Sequence, residues 1–227
     1  METAAPASIT SDTVAERLAM AILEHRLLPG TKLSEDEVGE IFGVSRTIVR
    51  AAFQSLSHDH LVDLRRNRGA FVAQPTTREA QEVLEARALL EPRTARSAAE
   101  RATPADIQFL TRHVEQEQEA IRAQNSGRAL YLSGQFHVEI ARIADHDTIA
   151  GMIRQLVSRS SLVIALYWQK RQALCESHAH QALIDALASK NGPMAEEVMK
   201  SHLLDLLTSL DLRHQPTAPL SLKDAFF

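Results

Sequence analysis

Residues Gly43 to Leu56, GVSRTIVRAAFQSL, constrain the chain most, because they form an amphipathic helix whose outward stripe carries two arginines. At about 100° per residue, Val49, Ala52, Phe53 and Leu56 share one face, while Arg46, Thr47, Arg50 and Gln54 fall on the stripe beside it. One side packs and the other is presented to a partner. DNA is the expected partner.

A net charge of −4, taken alone, argues against nucleic acid, whose phosphates need Lys and Arg. The distribution argues the other way. Residues 1–43 carry three basic and eight acidic groups, whereas residues 44–72 carry Arg46, Arg50, Arg65, Arg66 and Arg68 against Asp59 and Asp63. Local field decides where a polyanion docks. Any one of these arginines alone would read as a solvated surface charge; five on two neighbouring segments make a contact surface.

The flanking pattern supplies the rest of a small DNA-binding domain, expected over residues 11–74. A helix from about Ser11 to His25 carries Val14, Leu18, Ala21 and Ile22 on one stripe, and Pro29-Gly30 ends it with a turn. Ser34 with Glu37 forms a capping box for a second helix that turns Val38, Ile41 and Phe42 inward. Gly43 ends that helix and Ser45 caps the next, which is the spacing of a helix-turn-helix. The runs LVDLRR and GAFVAQ, split by Asn67-Arg68-Gly69, then read as a two-stranded wing. Gly69 allows close backbone approach at its tip.

These residues resemble the GntR family of bacterial transcription regulators. The elements PGTKL, GVSRT, VR and RGAFV, within Leu27 to Val72, stand at that family's spacing. The resemblance implies that Arg46 and Arg50 contact bases or phosphates of a double-stranded, palindromic operator, with Thr47 and Gly69 fixing register. The expected DNA-binding set is Ser45, Arg46, Thr47, Arg50, Gln54, Arg65, Arg66, Arg68 and Gly69. The chain departs from the family at Ile48 and Ala51, where proline and glutamate are common, which bears on operator preference.

Residues 75–78 read as a linker, and Thr76 with Glu79 offers a further capping box. From 79 to 214 the period is helical, with Val83, Leu84, Leu89 and Leu90 in one stretch and Ile107, Leu110, Val114 and Ile121 in the next. Thr103-Pro104, Asn125-Ser126-Gly127, Asp145-His146-Asp147 and Asn191-Gly192-Pro193 punctuate six or so helices. The fold class is therefore mainly α, a winged helix-turn-helix followed by an all-α antiparallel bundle. Residues 1–10 and 215–227 are expected to be tails, the latter ending in two phenylalanines. Tyr167 and Trp168 read as core or dimer contacts.

Within the bundle, His137, His180 and His202 each sit among apolar residues at helical spacing. They are either polar core histidines or ligands for Zn²⁺, Ni²⁺ or Mn²⁺. His178 reads as solvent-facing. The pieces EARALLEPR, FHVEIA, HQALIDAL and SHL are similar to the FCD ligand-binding domain of the FadR subfamily, several members of which bind a metal through an Asp and three His. On that pattern the three histidines match, but Ser133 stands where the Asp is expected, one helical turn before His137. The resemblance also implies effector contacts from Arg87, Ser133 and His146, with a small carboxylate as the effector; otherwise Arg87 forms a surface salt bridge with Glu91. His146 stands where the family usually has asparagine.

The expected protein is thus a homodimeric, ligand-responsive DNA-binding regulator and not an enzyme, with repression relieved by ligand. The rival readings are a metal-dependent enzyme using the three histidines to activate water, and a direct metal sensor. A single cysteine, Cys175, permits no internal disulfide, and no run approaches the roughly 18 apolar residues of a membrane span. No signal peptide is evident, so no membrane partner and a cytoplasmic location are expected.

Overall fold

A computed structural model describes residues 9–168 and 176–213. Cys175 and the tail from 215 onward lie outside the described residues, as do residues 1–8 of the expected N-terminal tail. The chain divides into two compact units: the first includes Met1–Ile22 with Arg26–Ala73, and the second is Leu23–His25 with Gln74–Thr217.

In the first unit, α1 (Ser11–Leu23) buries Val14, Leu18, Ala21 and Ile22, and ends two residues earlier than its period suggested. α2 (Glu35–Phe42) starts at Ser34, whose hydroxyl accepts the Glu37 N–H, and stops at Gly43, whose φ of 65° is the left-handed conformation that favours glycine. α3 (Arg46–His58) follows after two residues and buries Val49, Ala52, Phe53 and Leu56. The wing is an antiparallel pair with Leu64 opposite Ala70 and Arg65 opposite Gly69. A further strand, β1 (Lys32–Leu33), precedes α2; β2 (Val62–Arg65) and β3 (Gly69–Val72) are the wing, in the sheet order β1-β3-β2. The sequence did not announce β1. Two residues are too few for alternation to show, and pairing with β3, Lys32 opposite Phe71, is what makes them a strand.

In the second unit, α4 (Thr77–Arg101) begins within the expected linker, because Thr76 and Glu79 form the full reciprocal capping box. Five helices follow among the described residues: α5 (Pro104–Arg122), α6 (Ser126–Ile143), α7 (Asp147–Tyr167), α8 (Glu176–Ala188) and α9 (Gly192–Thr208). Their main core joins Ala95, Ala98 and Ala99 of α4 to Leu110, Phe136, Ile140, Leu183, Leu187 and Met199. Small alanines bring α4 close to its neighbours. Leu89, expected on the inner stripe of α4, is 79% exposed. The buried positions 80, 83, 84, 87, 91, 94, 95 and 98 keep the 3.6 period, and residue 89 falls on the opposite side.

By length and hydropathy α7 is long and apolar enough to cross a membrane. It packs against α4 and α6 and buries Ile153, Val157, Leu162 and Val163. Tyr167 at its end is buried and donates its hydroxyl hydrogen to the Pro75 carbonyl at 2.9 Å. The helix starts are built by side chains: Thr103 accepts from the Asp106 N–H at 3.2 Å, and Asp106 accepts from the Thr103 N–H at 3.0 Å. Thr103→Ala is expected to cost the bundle about 1 kcal/mol. A urea midpoint unchanged from the parent would show that Pro104 alone starts α5.

Candidate functional site

Two regions carry chemistry, one in each unit. In the first, the apolar face of α3 packs inward, and Arg46, Thr47, Arg50 and Gln54 are exposed as their spacing required. Ser45 stands at the N-cap position in extended backbone, but its side chain makes no capping hydrogen bond. That corrects its expected capping role. It is exposed beside Arg46.

The two α3 arginines are not bare charges. Arg50 donates through Nε to both oxygens of Glu35, at 2.9 and 2.8 Å, and the Arg46 Nε lies 2.6 Å from Asp36 Oδ1. The hydrogen bond from Arg50 holds the Glu35 carboxyl below its usual range. On the wing, Arg65 lies over the Phe71 ring at 4.5 Å and reaches Asp63, while Arg66 and Arg68 extend into solvent. The turn is closed by Arg68 N–H donating to the Arg65 carbonyl, with Asn67 and Gly69 at positive φ of 60° and 93°. Arg50, Gln54, Arg65, Arg66 and Gly69 border one groove of about 450 Å³ between α3 and the wing. Ser45, Arg46, Thr47 and Arg68 lie outside that groove. Sequence reasoning missed Glu35 and Asp36, although an acidic first turn on the helix before α3 is visible in SEDE.

In the second unit, α6, α8 and α9 bring His137, His180 and His202 together. All three are buried, and one potential ligand atom from each lies within 4.8 Å of the other two. The Nε2 atoms of His137 and His202 are 3.2 Å apart. On the far side of two rings stand carboxylates: Glu91 Oε2 is 2.6 Å from His137 Nδ1, and Glu117 Oε2 is 2.9 Å from His180 Nδ1. Glu91, held ionised, can only accept, so it fixes the proton on His137 Nδ1 and leaves that ring's Nε2 with its lone pair. Phe136 stacks on His180 at 4.2 Å and sets that ring's plane.

Burial explains the protonation states. Desolvation pulls His137 and His202 below the ordinary imidazole range, so both are neutral nitrogen donors near pH 7. Burial would raise Glu91 as well, but Arg87 and His137 outweigh it and hold the carboxyl at about 2. Burial pushes Glu117 up to about 7, with His113 and His137 opposing only part of that. This set of donors suits a borderline divalent ion such as Zn²⁺ or Ni²⁺.

Arg87 is where the surface expectation fails. It is 3% exposed and bonded twice to Glu91, through Nε at 2.5 Å and Nη2 at 3.3 Å, while Nη1 donates to Ser160 at 3.0 Å. The pair is therefore a buried bridge linking α4 to α7 and, through Glu91, to His137 on α6. Arg87, Ser133, His137, Ser160 and His202 line one cavity of about 30 Å³. His146 does not join them: it is an exposed N-cap residue of α7. It stands in the short link before α7, apart from Arg87 and Ser133, with which it was expected to share effector contacts. His178 is exposed as expected. Glu91, Glu117 and Ser160 were missed as site residues. Glu117 could have been found, since it continues the Leu110, Val114, Ile121 stripe and is a charged residue on an apolar face.

Residues 10–72 match the model described as bacterial regulatory proteins, gntR family, and residues 82–205 match the FCD domain. The HTH-type transcriptional repressor RspR of Escherichia coli K12 is 29% identical over 188 residues, covering 81% of each chain. The galactonate operon transcriptional repressor of the same organism is 28% identical over 211 residues, covering 82% of this chain and 90% of its own. Among solved structures, a GntR transcriptional regulator from Rhodococcus sp. RHA1 superposes with a TM-score of 0.76 at 26% identity, over 87% of this chain and 95% of the other.

Proposed function

The chain belongs to the GntR family of bacterial regulatory proteins and carries an FCD domain, and from that premise we propose that it is a homodimeric, effector-controlled repressor. The family and these relatives are DNA-binding transcription regulators and not enzymes. In this reading α3 enters the major groove of the operator, and Arg46 and Arg50 exchange their carboxylate partners for bases or phosphates. The wing arginines hold the backbone beside it. Two-fold symmetry presents two such helices to a palindrome in the cytoplasm.

For the second unit, the single observation that carries the reading is the cavity beside the histidines. Its described lining holds Arg87, Ser133, Ser158, Ser160 and Ser161 and no acidic side chain. Hydroxyls and a guanidinium, two of whose N–H groups are not used by Glu91 or Ser160, suit a small carboxylate effector. His137, His180 and His202 would hold a divalent ion, which when bound supplies positive charge toward such an anion. The effector acts only as far as it binds the operator-competent and incompetent states unequally.

DNA binding is tested by fluorescence anisotropy on the region upstream of the protein's own gene, across a range of salt. Saturable, sequence-dependent binding is expected. Arg50→Ala is expected to weaken it roughly tenfold or more, and the wing variant Arg66→Ala to reduce the salt slope by about one. Equal binding to scrambled DNA at every salt would defeat the reading.

A further inference from the structure

We infer that Ser133 makes metal binding by this chain conditional on a carboxylate anion, so that ion and effector bind as one unit; the inference rests on the metal and effector reading above. Ser133 lies one turn before His137 on α6, is buried, and lines the same cavity as His137 and His202. Its side chain is a neutral oxygen donor. The three imidazoles add nitrogen donors but no negative charge.

No nearby acid can take over that role without breaking another bond. Both oxygens of Glu91 are engaged, Oε1 by Arg87 Nε and Oε2 by Arg87 Nη2 and His137 Nδ1. Glu91 also cancels Arg87, so the pair contributes no net charge. Glu117 stands behind His180, on its Nδ1 side. A divalent ion on the three Nε2 atoms would therefore have no anionic ligand of its own in a buried pocket, which is unfavourable. An anion on the cavity side removes that penalty.

The cavity has the means to hold one. Three of the five Arg87 N–H groups are used by Glu91 and Ser160, leaving two for an incoming oxygen. The space of about 30 Å³ suits a group the size of a single carboxylate head, with the serine hydroxyls around it. One carboxylate oxygen would lie toward the imidazole Nε2 atoms and the other toward Arg87 and Ser160. Because coupling is reciprocal, an anion that tightens the ion is tightened by it to the same degree.

The test is a titration of metal-free full-length protein with Co²⁺, followed by its visible absorption, in acetate and in the neutral analogue acetamide. Acetate is expected to tighten Co²⁺ binding by roughly 5–150-fold and acetamide to leave it unchanged. Ser133→Asp is expected to bind Co²⁺ tightly without acetate, and the gain from acetate to fall to within about twofold. Ser133→Ala, the milder change, is expected to keep the acetate dependence of the parent. Equal Co²⁺ affinity with and without acetate, in a parent protein whose binding is lost in His137→Ala, overturns the inference and leaves the metal site standing. Absence of Co²⁺ binding by the parent even in acetate overturns both.

Discussion

Glu91→Ala is expected to destabilise the helical bundle by roughly 3–5 kcal/mol, the cost of leaving one member of a buried ion pair uncompensated. Glu91 is 2% exposed and accepts from both Arg87 and His137, so its removal strands a guanidinium and an imidazole N–H together. The loss is measured as the shift in urea unfolding of the full chain followed by circular dichroism. The double change Arg87→Met with Glu91→Leu is expected to recover most of it, since apolar groups of similar volume remove the charge problem at both ends. A loss below about 1 kcal/mol, the range of exposed pairs, would mean that Arg87 reaches water. The contrast with Arg50 and Glu35 is instructive. Theirs is also a direct contact, at 2.8 Å, but the arginine side chain is 63% exposed, so water screens the contact and leaves the arginine available for exchange.

The second large effect concerns the histidines. His137→Ala combined with His202→Ala is expected to reduce bound Zn²⁺ or Ni²⁺ to background, a greater loss than the roughly 10–100-fold expected when only a carboxylate behind a ligand is removed. Glu117→Gln provides that milder case, because it disturbs the partner of His180 Nδ1 and leaves all three rings. Metal content by elemental analysis and operator binding by anisotropy are read on the same samples. Operator binding without effector is expected to persist in the double variant, since its contacts come from the first unit. Loss of both together, with circular dichroism unchanged, would mean that the histidines are needed for the DNA-competent state itself.

Much of the first unit was legible because its signals are local. The α3 stripe, the left-handed glycine at 43 and the wing turn at 67–69 each depend on neighbours within four residues, and the structure keeps all of them. Where the same reasoning failed, the deciding partner was distant in sequence. Lys32 and Leu33 form a strand only because β3 lies beside them. Arg46 and Arg50 find Asp36 and Glu35 across a helix turn that no periodicity reports. Leu89 was misplaced for another reason: one apolar residue was counted with a stripe whose phase the rest of α4 sets.

The candidate pocket divides along the same line. Similarity to known patterns picked out His137, His180, His202, Ser133 and Arg87, and the fold gathers the histidines and puts Arg87 and Ser133 beside them. The sequence by itself determined the run of helices, the caps at Ser34, Thr76 and Thr103, the outward stripe of α3 and the residue types offered to a metal or an anion, because helical period and capping act over one or two turns. Only the tertiary structure decided that Arg87 is buried and neutralised, that Glu91 and Glu117 stand behind two of the histidines, and that His146 stays at the surface. Those outcomes depend on desolvation and on distances between helices far apart in the chain, and neither is written in any local pattern.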